Sequence, residues 1–316
     1  MRPSFSFRDA LNAPFVLIRR RPLTVFVWGA LMTVLIGALY AVFLPVFANV
    51  PLGDDAPASQ AYMSQMMAMS AASNGLSLLM YLVMLVIFNA AGRATLAPGT
   101  RDRFLFMRLG MDEVRVAVTI VAIFIGWYVA LIILVVIGIV LGIALWPVSE
   151  FAAVISVLLY GLAVVILALL GWARVCLIAP ATLVLGRFAF EEGWNIAKGQ
   201  VLKLVGLNLA IWLIYMLAYI VLAAIVALIL IGGFMGQGLS WPEHIDRLED
   251  LMPVVRPMLI PLAATVPIFT FAYGAYIALV AAPFVRAARQ LLDGAPVNPV
   301  TRTDAGREPD DTLQTV

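Results

Sequence analysis

The chain has 316 residues, of which 64% are apolar and 12% are charged, and its formal net charge is +2. Soluble domains carry about a quarter charged residues, so this composition excludes an ordinary water-soluble fold and gives no support for nucleic acid as a partner. Its single cysteine, Cys176, excludes an internal disulfide, and its single histidine, His244, excludes a histidine cluster for a metal.

Six apolar runs follow one another along the chain, and each reaches the about 20 residues that a helix needs to cross a bilayer. The predicted spans are residues 23–48, 66–92, 116–146, 151–173, 203–231 and 258–285. The sequence therefore predicts an all-α integral membrane bundle of six transmembrane helices. We expect residues 1–22 to form a cytoplasmic amphipathic lead-in, residues 23–293 the membrane domain and residues 294–316 a disordered cytoplasmic tail.

The N-terminus could also be interpreted as a signal peptide. The first apolar run is longer than the apolar core of such a peptide, so we expect the first span to be retained.

The basic residues alternate along the chain. Eighteen of the twenty Lys and Arg residues lie in the two tails or in the loops over residues 93–115 and 174–202, counting Lys203 just beyond the second. The loop over 49–65 has no basic residue, and in the loop over 232–257 acidic residues outnumber Arg247 and Arg256. Basic loops remain inside because their translocation is costly. The pattern predicts a bacterial cytoplasmic (inner) membrane protein with both termini in the cytoplasm.

A similar stretch precedes each odd-numbered span. Phe-x-Phe motifs at 5–7, 104–106 and 188–190 each open a stretch that mixes charged and apolar residues at helical spacing. Such helices lie in the headgroup plane. One interpretation is three two-span repeats, each with a cytoplasmic interfacial helix. The alternative is that any cytoplasmic loop entering a bilayer tends to be amphipathic.

Small residues recur four apart in three spans and predict close helix packing. They are Gly138 and Gly142, then Ala223 and Ala227, then Gly274, Ala278 and Ala282. Packing within one bundle is the favoured interpretation, and a homodimer face is the alternative. Pro180 and Pro261 are the expected helix breakers.

Arg174 follows the fourth apolar run and precedes a second apolar stretch that ends before Arg187. We expect the span to end near Arg174, whose side chain would extend to the inner headgroups, with Pro180 turning the next stretch along the interface. If the span continued to Gly186, Arg174 would be buried in the bilayer. The predicted lipid-headgroup residues are Arg93, Arg174, Arg187, Trp194, Lys198 and Lys203.

Polar side chains inside the spans are few. No Asp or Glu lies deep in a span, which argues against an ion-coupled transporter. Asn74, Asn89 and Asn208 are candidates to line a cavity, although asparagines in spans commonly hydrogen-bond between helices.

Neither a catalytic set nor a metal site nor a cofactor is predicted. The methionines at 63, 66, 67 and 69 could hold Cu(I), but adaptable apolar packing is the favoured interpretation. Adjacent Glu191 and Glu192 would point about 100° apart on a helix and make a poor acid–base pair.

Residues 174–208, RVCLIAPATLVLGRFAFEEGWNIAKGQVLKLVGLN, resemble a segment of bacterial multi-pass proteins that include the membrane domain attached to some glycerophosphodiester phosphodiesterases. The resemblance rests on Arg174, Pro180, Trp194, Ile196, Lys198, Gly199, Lys203, Leu204 and Gly206. It implies a helical membrane domain without catalytic residues of its own. The phosphodiesterase residues belong to the attached soluble domain, to which nothing here corresponds.

We expect a non-enzymatic membrane protein that contacts lipid headgroups or a membrane protein partner through its cytoplasmic face. The alternative is a transporter or lipid-moving permease with an intramembrane cavity.

Overall fold

A computed structural model describes residues 4–48, 60–97, 105–107, 110–147, 149–236 and 252–294. Within these residues the secondary structure is helical throughout, and six segments are long and apolar enough to cross a membrane. The predicted all-α, six-span fold is confirmed. The helices are α1 Phe7–Arg20, α2 Pro22–Ala48, α3 Gln60–Leu96, α4 Met111–Leu145, α5 Glu150–Val175, α6 Ile178–Leu185, α7 Phe190–Ala197, α8 Val201–Gly236 and α9 Met252–Asp293. The predicted disordered tail lies outside the described residues.

Helix α9 is the centre of the bundle and packs against α1, α2, α3, α6 and α8. Its 42 residues make it about 63 Å long at 1.5 Å per residue, which exceeds the about 30 Å hydrocarbon thickness of a bilayer. The expected break at Pro261 is wrong, because the helix continues through Pro257, Pro261, Pro267 and Pro283. Neighbouring helices and local adjustments make proline tolerable in such spans.

The buried side chains concentrate at one end of the bundle, which we call the basic end. It comprises α1, α6, α7, the first turns of α2, α4 and α8 and the last turns of α3, α5 and α9. Large side chains enclosed there include Trp28, Leu177, Leu204, Leu291 and Val116. Most apolar side chains of α4, α5 and α8 are exposed along the helices. Lipid is the solvent that makes such exposure favourable.

Helices α2 and α9 cross at the tightest backbone contact that involves glycine. A Cβ on Gly29 would lie 1.7 Å from the Thr270 carbonyl oxygen, and one on Gly274 would lie 1.9 Å from that of Val25. The predicted stripe of Gly274, Ala278 and Ala282 therefore forms part of an internal helix interface. Only residues without a Cβ allow this approach of two backbones.

The other two predicted pairs of small residues lie in different surroundings, one pair inside a helix hairpin and the other on the surface. Gly138 and Gly142 pack against Tyr160 and Val157 within the α4–α5 hairpin, where the Tyr160 hydroxyl donates to the Leu134 carbonyl at 2.7 Å. Ala223 and Ala227 are exposed on α8 and take no part in internal packing.

Pro180 lies where a helix breaker was expected. Helix α5 ends at Val175 and α6 begins at Ile178, so the break falls at Cys176 and Leu177. Proline has no N–H to donate to the carbonyl four residues earlier, which is that of Cys176, and its ring crowds that group. The residues of α6 from Ile178 to Leu183 are all buried, so α6 is an internal helix of the basic end.

The three expected lead-in helices are only partly present. The first is α1, which buries Ala10, Pro14 and Leu17 on one face, and the third is α7. In the second, residues 105–107 form a turn in which Leu105 and Phe106 have φ of 54° and 65°. The second lead-in is therefore not a helix over these residues, because tertiary contacts fix them in a left-handed turn.

Candidate functional site

Positive charge is concentrated at the basic end. Among the described residues, every Lys and Arg except Arg256 lies in an element of this end or directly beside one. Exposed apolar surface therefore meets a cationic rim on one side of the molecule. An arrangement of this kind suits the anionic headgroup layer of a bilayer.

Arg93 is used inside the protein. Its guanidinium pairs with the Glu113 carboxylate and donates to the Phe106 carbonyl at 3.3 Å. The second Glu113 oxygen accepts from the Gly110 N–H at 2.8 Å. Because the side chains of Arg93 and Glu113 are 22% and 5% exposed, this ion pair joins α3 to α4 within the basic end. Arg93 thus stands apart from the other predicted headgroup residues.

The turn over residues 105–107 is held by side chains of α2 and α3 and by Arg21, which lies between α1 and α2. The Trp28 indole N–H donates to the Leu105 carbonyl at 3.3 Å, and the Arg21 guanidinium stacks 4.4 Å from the centre of the Phe106 ring. Arg21 also donates to the Ala97 carbonyl at 3.1 Å. Left-handed backbone costs about 1–2 kcal/mol per non-glycine residue, and these contacts offset that cost.

Arg174 lies in the last turn of α5 and is exposed. Its guanidinium stacks over the Trp194 ring of α7 at 5.5 Å. The side chain therefore lies on the outer surface of the bundle, and the alternative in which the span continues and Arg174 is buried in the bilayer stays a prediction. The contact brings together two residues that the sequence placed in the same lipid-headgroup set.

Three other predicted headgroup residues lie between the end of α6 and the first turn of α8. Arg187 forms an ion pair with Glu192 at 2.7 Å, and both Lys198 and Lys203 are exposed. We call Arg174, Arg187, Trp194, Lys198 and Lys203 the α5–α8 basic patch. Trp194 is the only aromatic member of the patch, and indole rings favour the headgroup level of a bilayer.

A cavity of about 390 Å³ opens between α1, the end of α3 and α9 at the basic end. Its polar lining consists of Asp9, Asn12, Arg20, Arg21, Thr95 and Arg286. The sequence did not predict this site. The spacing of Asp9, Asn12 and Arg20 along an amphipathic stretch was a possible signal, but Arg286 is more than 260 positions away. Only the packing of α9 against α1 brings it there.

The three asparagines that were candidates for a cavity lie in unlike surroundings. Asn74 is exposed, Asn208 is half-buried and Asn89 is fully buried. Both polar atoms of the Asn89 amide lack a hydrogen-bond partner, which costs about 1–3 kcal/mol for a buried group. None of the three lines the cavity beside α1.

A second cavity, of about 730 Å³, lies against the α4–α5 hairpin away from the basic end. Its lining is apolar and includes Gly138, Ile143, Trp146 and Val157. It contains none of the predicted headgroup residues and none of the three asparagines.

Comparisons with protein-family models, with curated proteins and with solved structures found no match for this chain.

Proposed function

We propose that the chain is a non-enzymatic multi-pass protein of the bacterial cytoplasmic (inner) membrane that contacts anionic lipid headgroups through its basic end. The termini would then lie in the cytoplasm, because the basic end contains α1 and the end of α9. The observation that carries the proposal is the α5–α8 basic patch, where exposed cations border the exposed apolar surfaces of α5 and α8.

The chemistry of the patch favours lipid phosphate. The Arg174 guanidinium stacks on Trp194, which orients its donors without a carboxylate. Lys198 and Lys203 add mobile charge beside it, and each cation near an anionic membrane surface contributes about 1 kcal/mol of attraction. A layer of phosphates would be attracted to all three side chains at the same time.

The alternative function, a transporter or lipid-moving permease, requires polar groups around a shared cavity in the membrane. Asn74 is exposed, Asn208 is half-buried and Asn89 is fully buried, and none of them lines either of the two cavities. The geometry therefore gives more support to a binding role than to transport.

The proposal can be tested by native mass spectrometry of the purified full chain titrated with phosphatidylglycerol. We expect Arg174→Gln combined with Lys203→Gln to weaken lipid binding by about fivefold or more, since two attractions of about 1 kcal/mol are removed. The matched control is Arg247→Gln with Arg256→Gln, which removes the two cations of the acidic loop and α9 start and should change binding less than about twofold. Equal losses in both variants, or no loss in either, would contradict the proposal.

A further inference from the structure

We propose that the cavity between α1, α3 and α9 binds the phosphate group of a phosphate ester. This inference extends the proposed lipid contact to a second site. It rests on the proposed function only for the statement that the phosphate belongs to a membrane lipid. The same chemistry would bind a soluble phosphate ester, so the shared ligand is the phosphate itself. The α5–α8 basic patch is an exposed surface, whereas this site is a half-open cavity with its own set of arginines.

Three arginines from different parts of the chain line the cavity. Arg20 ends α1, Arg21 follows it and Arg286 comes from α9. Arg21 is oriented by its contacts with the Ala97 carbonyl and the Phe106 ring. The guanidinium group presents donors in a planar fork that matches two oxygens of a phosphate. Arginines that line one cavity are typical of an oxyanion site.

Arg20 and Arg286 have no carboxylate partner among the residues that the structure describes. Within the described residues, neither guanidinium forms a hydrogen bond or an ion pair. Other arginines of the basic end behave differently, because Arg93, Arg115, Arg187 and Arg289 each pair with a carboxylate. The half-buried position of Arg286 makes the lack of an anion more costly than at a fully exposed site.

Asp9 is the carboxylate of the described cavity lining and lies far from Arg20 along α1. It lies eleven positions before Arg20, about 16 Å along the helix axis. That separation is about twice the screening length of about 8 Å at physiological salt. Among the described lining residues, Arg20 and Arg286 are the guanidinium groups that form no hydrogen bond or ion pair, whereas Arg21 has partners of its own. A phosphate monoester carries about one and a half to two negative charges at neutral pH and a phosphodiester carries one, so either is attracted to these two cations.

The size and walls of the cavity suit a small phosphate ester at a membrane surface. A volume of about 390 Å³ falls at the lower end of the range for small-ligand pockets, about 300–1,000 Å³. Ala13, Val16 and Leu17 of α1 form an apolar side of the same cavity. Val16 is 46% exposed, so apolar surface continues from the cavity to the outside of the molecule. A phosphate with a glycerol backbone can contact both parts.

The experiment compares two double variants of the full chain in detergent. Arg20→Gln with Arg286→Gln neutralises the cavity, and Arg8→Gln with Arg19→Gln removes the same charge from exposed positions of α1 outside it. Equilibrium binding is measured with glycerol 3-phosphate, with phosphatidylglycerol and with oleate, an anion without phosphate. We expect the cavity variant to lose about tenfold or more in affinity for a phosphate ligand, and the control less than about twofold.

The three probes identify the source and the chemistry. Saturable binding of glycerol 3-phosphate indicates a soluble ester, and binding of phosphatidylglycerol alone indicates a lipid headgroup. The inference is overturned if neither phosphate ligand binds saturably, if both double variants lose affinity equally, or if oleate affinity falls as much as phosphate affinity. Should Arg286→Gln prevent folding, Arg20→Gln against Arg19→Gln gives the same comparison at two adjacent exposed positions.

Failure of this site is distinguishable from failure of the lipid contact. If lipid binding depends on Arg174 and Lys203 but not on Arg20 and Arg286, the proposed function holds and the cavity assignment is wrong. If only glycerol 3-phosphate binding changes, and only in the cavity variant, the cavity assignment holds and the proposed lipid contact is wrong.

Discussion

The Glu113 carboxylate is enclosed between α3 and α4 and uses both of its oxygens. One pairs with Arg93 and the other accepts from the Gly110 N–H, so the side chain also caps the first turn of α4. Removing one partner of an enclosed ion pair is costly because the other charge loses its compensation. The pair therefore stabilises the junction at which the turn over 105–107 enters the basic end.

We expect Glu113→Gln to lower the free energy of unfolding by about 2–4 kcal/mol, since the charge that pairs with Arg93 would be lost from a largely enclosed position. Glu192→Gln makes the same chemical change in the more exposed pair with Arg187, where the expected loss is below about 1 kcal/mol. Denaturant unfolding in detergent measures both. Similar losses in the free energy of unfolding for the two variants would contradict the expectation that the more enclosed ion pair contributes more to stability.

At the scale of the helices, the α2–α9 crossing determines how closely the bundle packs. Gly29 of α2 and Gly274 of α9 lie where the backbones of these two helices contact each other. One turn away, the Thr270 hydroxyl donates a hydrogen bond to the Thr33 hydroxyl at 3.3 Å. Helix association in lipid depends on this close packing, because lipid is as apolar as the side chains. Since α9 also contacts α1, α3, α6 and α8, a shift of this crossing would affect most of the basic end.

Gly29→Ala should destabilise the protein by about 3 kcal/mol or more, because its Cβ cannot be accommodated without separating the two backbones. Gly37→Ala on the same helix is the control, since nothing lies within 4 Å of a Cβ there. Alanine is the better helix former by about 1 kcal/mol, so the control is expected to be neutral or slightly stabilising. Thermal unfolding in detergent distinguishes the two, and a tolerated Gly29→Ala would contradict this view of the crossing.

At the scale of the whole molecule, the two ends of the bundle differ in packing and in charge. The basic end holds the enclosed residues of α1, α6 and α7 and the described cations other than Arg256, whereas α4, α5 and α8 expose apolar side chains along their lengths. Translocating a cationic end across the membrane is unfavourable. This asymmetry is the physical basis of the proposed orientation.

The orientation can be measured with an alkaline-phosphatase-type reporter, which is active only outside the cytoplasm. We expect activity for fusions at Asp55 and Pro242, and none for fusions at Thr100 or after Val316, because the first two loops lack a basic excess. A fluorescent reporter that matures only in the cytoplasm should give the inverse pattern. Activity at Thr100 or at the C-terminus would contradict the proposed topology.

The part of the candidate site that was predicted from sequence is the part formed by neighbours along the chain. Arg174, Arg187, Trp194, Lys198 and Lys203 lie within one stretch of the chain, and the structure brings Arg174 into contact with Trp194. Arg93 was assigned to the headgroups as well, but in the structure its guanidinium forms an ion pair with Glu113. No pattern of spacing reveals that pairing, because the turn over 105–107 folds back between the two residues.

Apolar length was sufficient to determine six membrane-spanning helices, since each bonds its own backbone and needs only about 20 apolar residues. The course of the chain after Pro180 was also foreseeable in part, because proline disrupts a helix through local geometry. Tertiary structure alone decided that α9 continues through Pro261, that Leu105 and Phe106 turn instead of forming a helix, and that Arg286 joins Arg20. These outcomes depend on contacts between segments far apart in the chain, whose energies no local pattern contains.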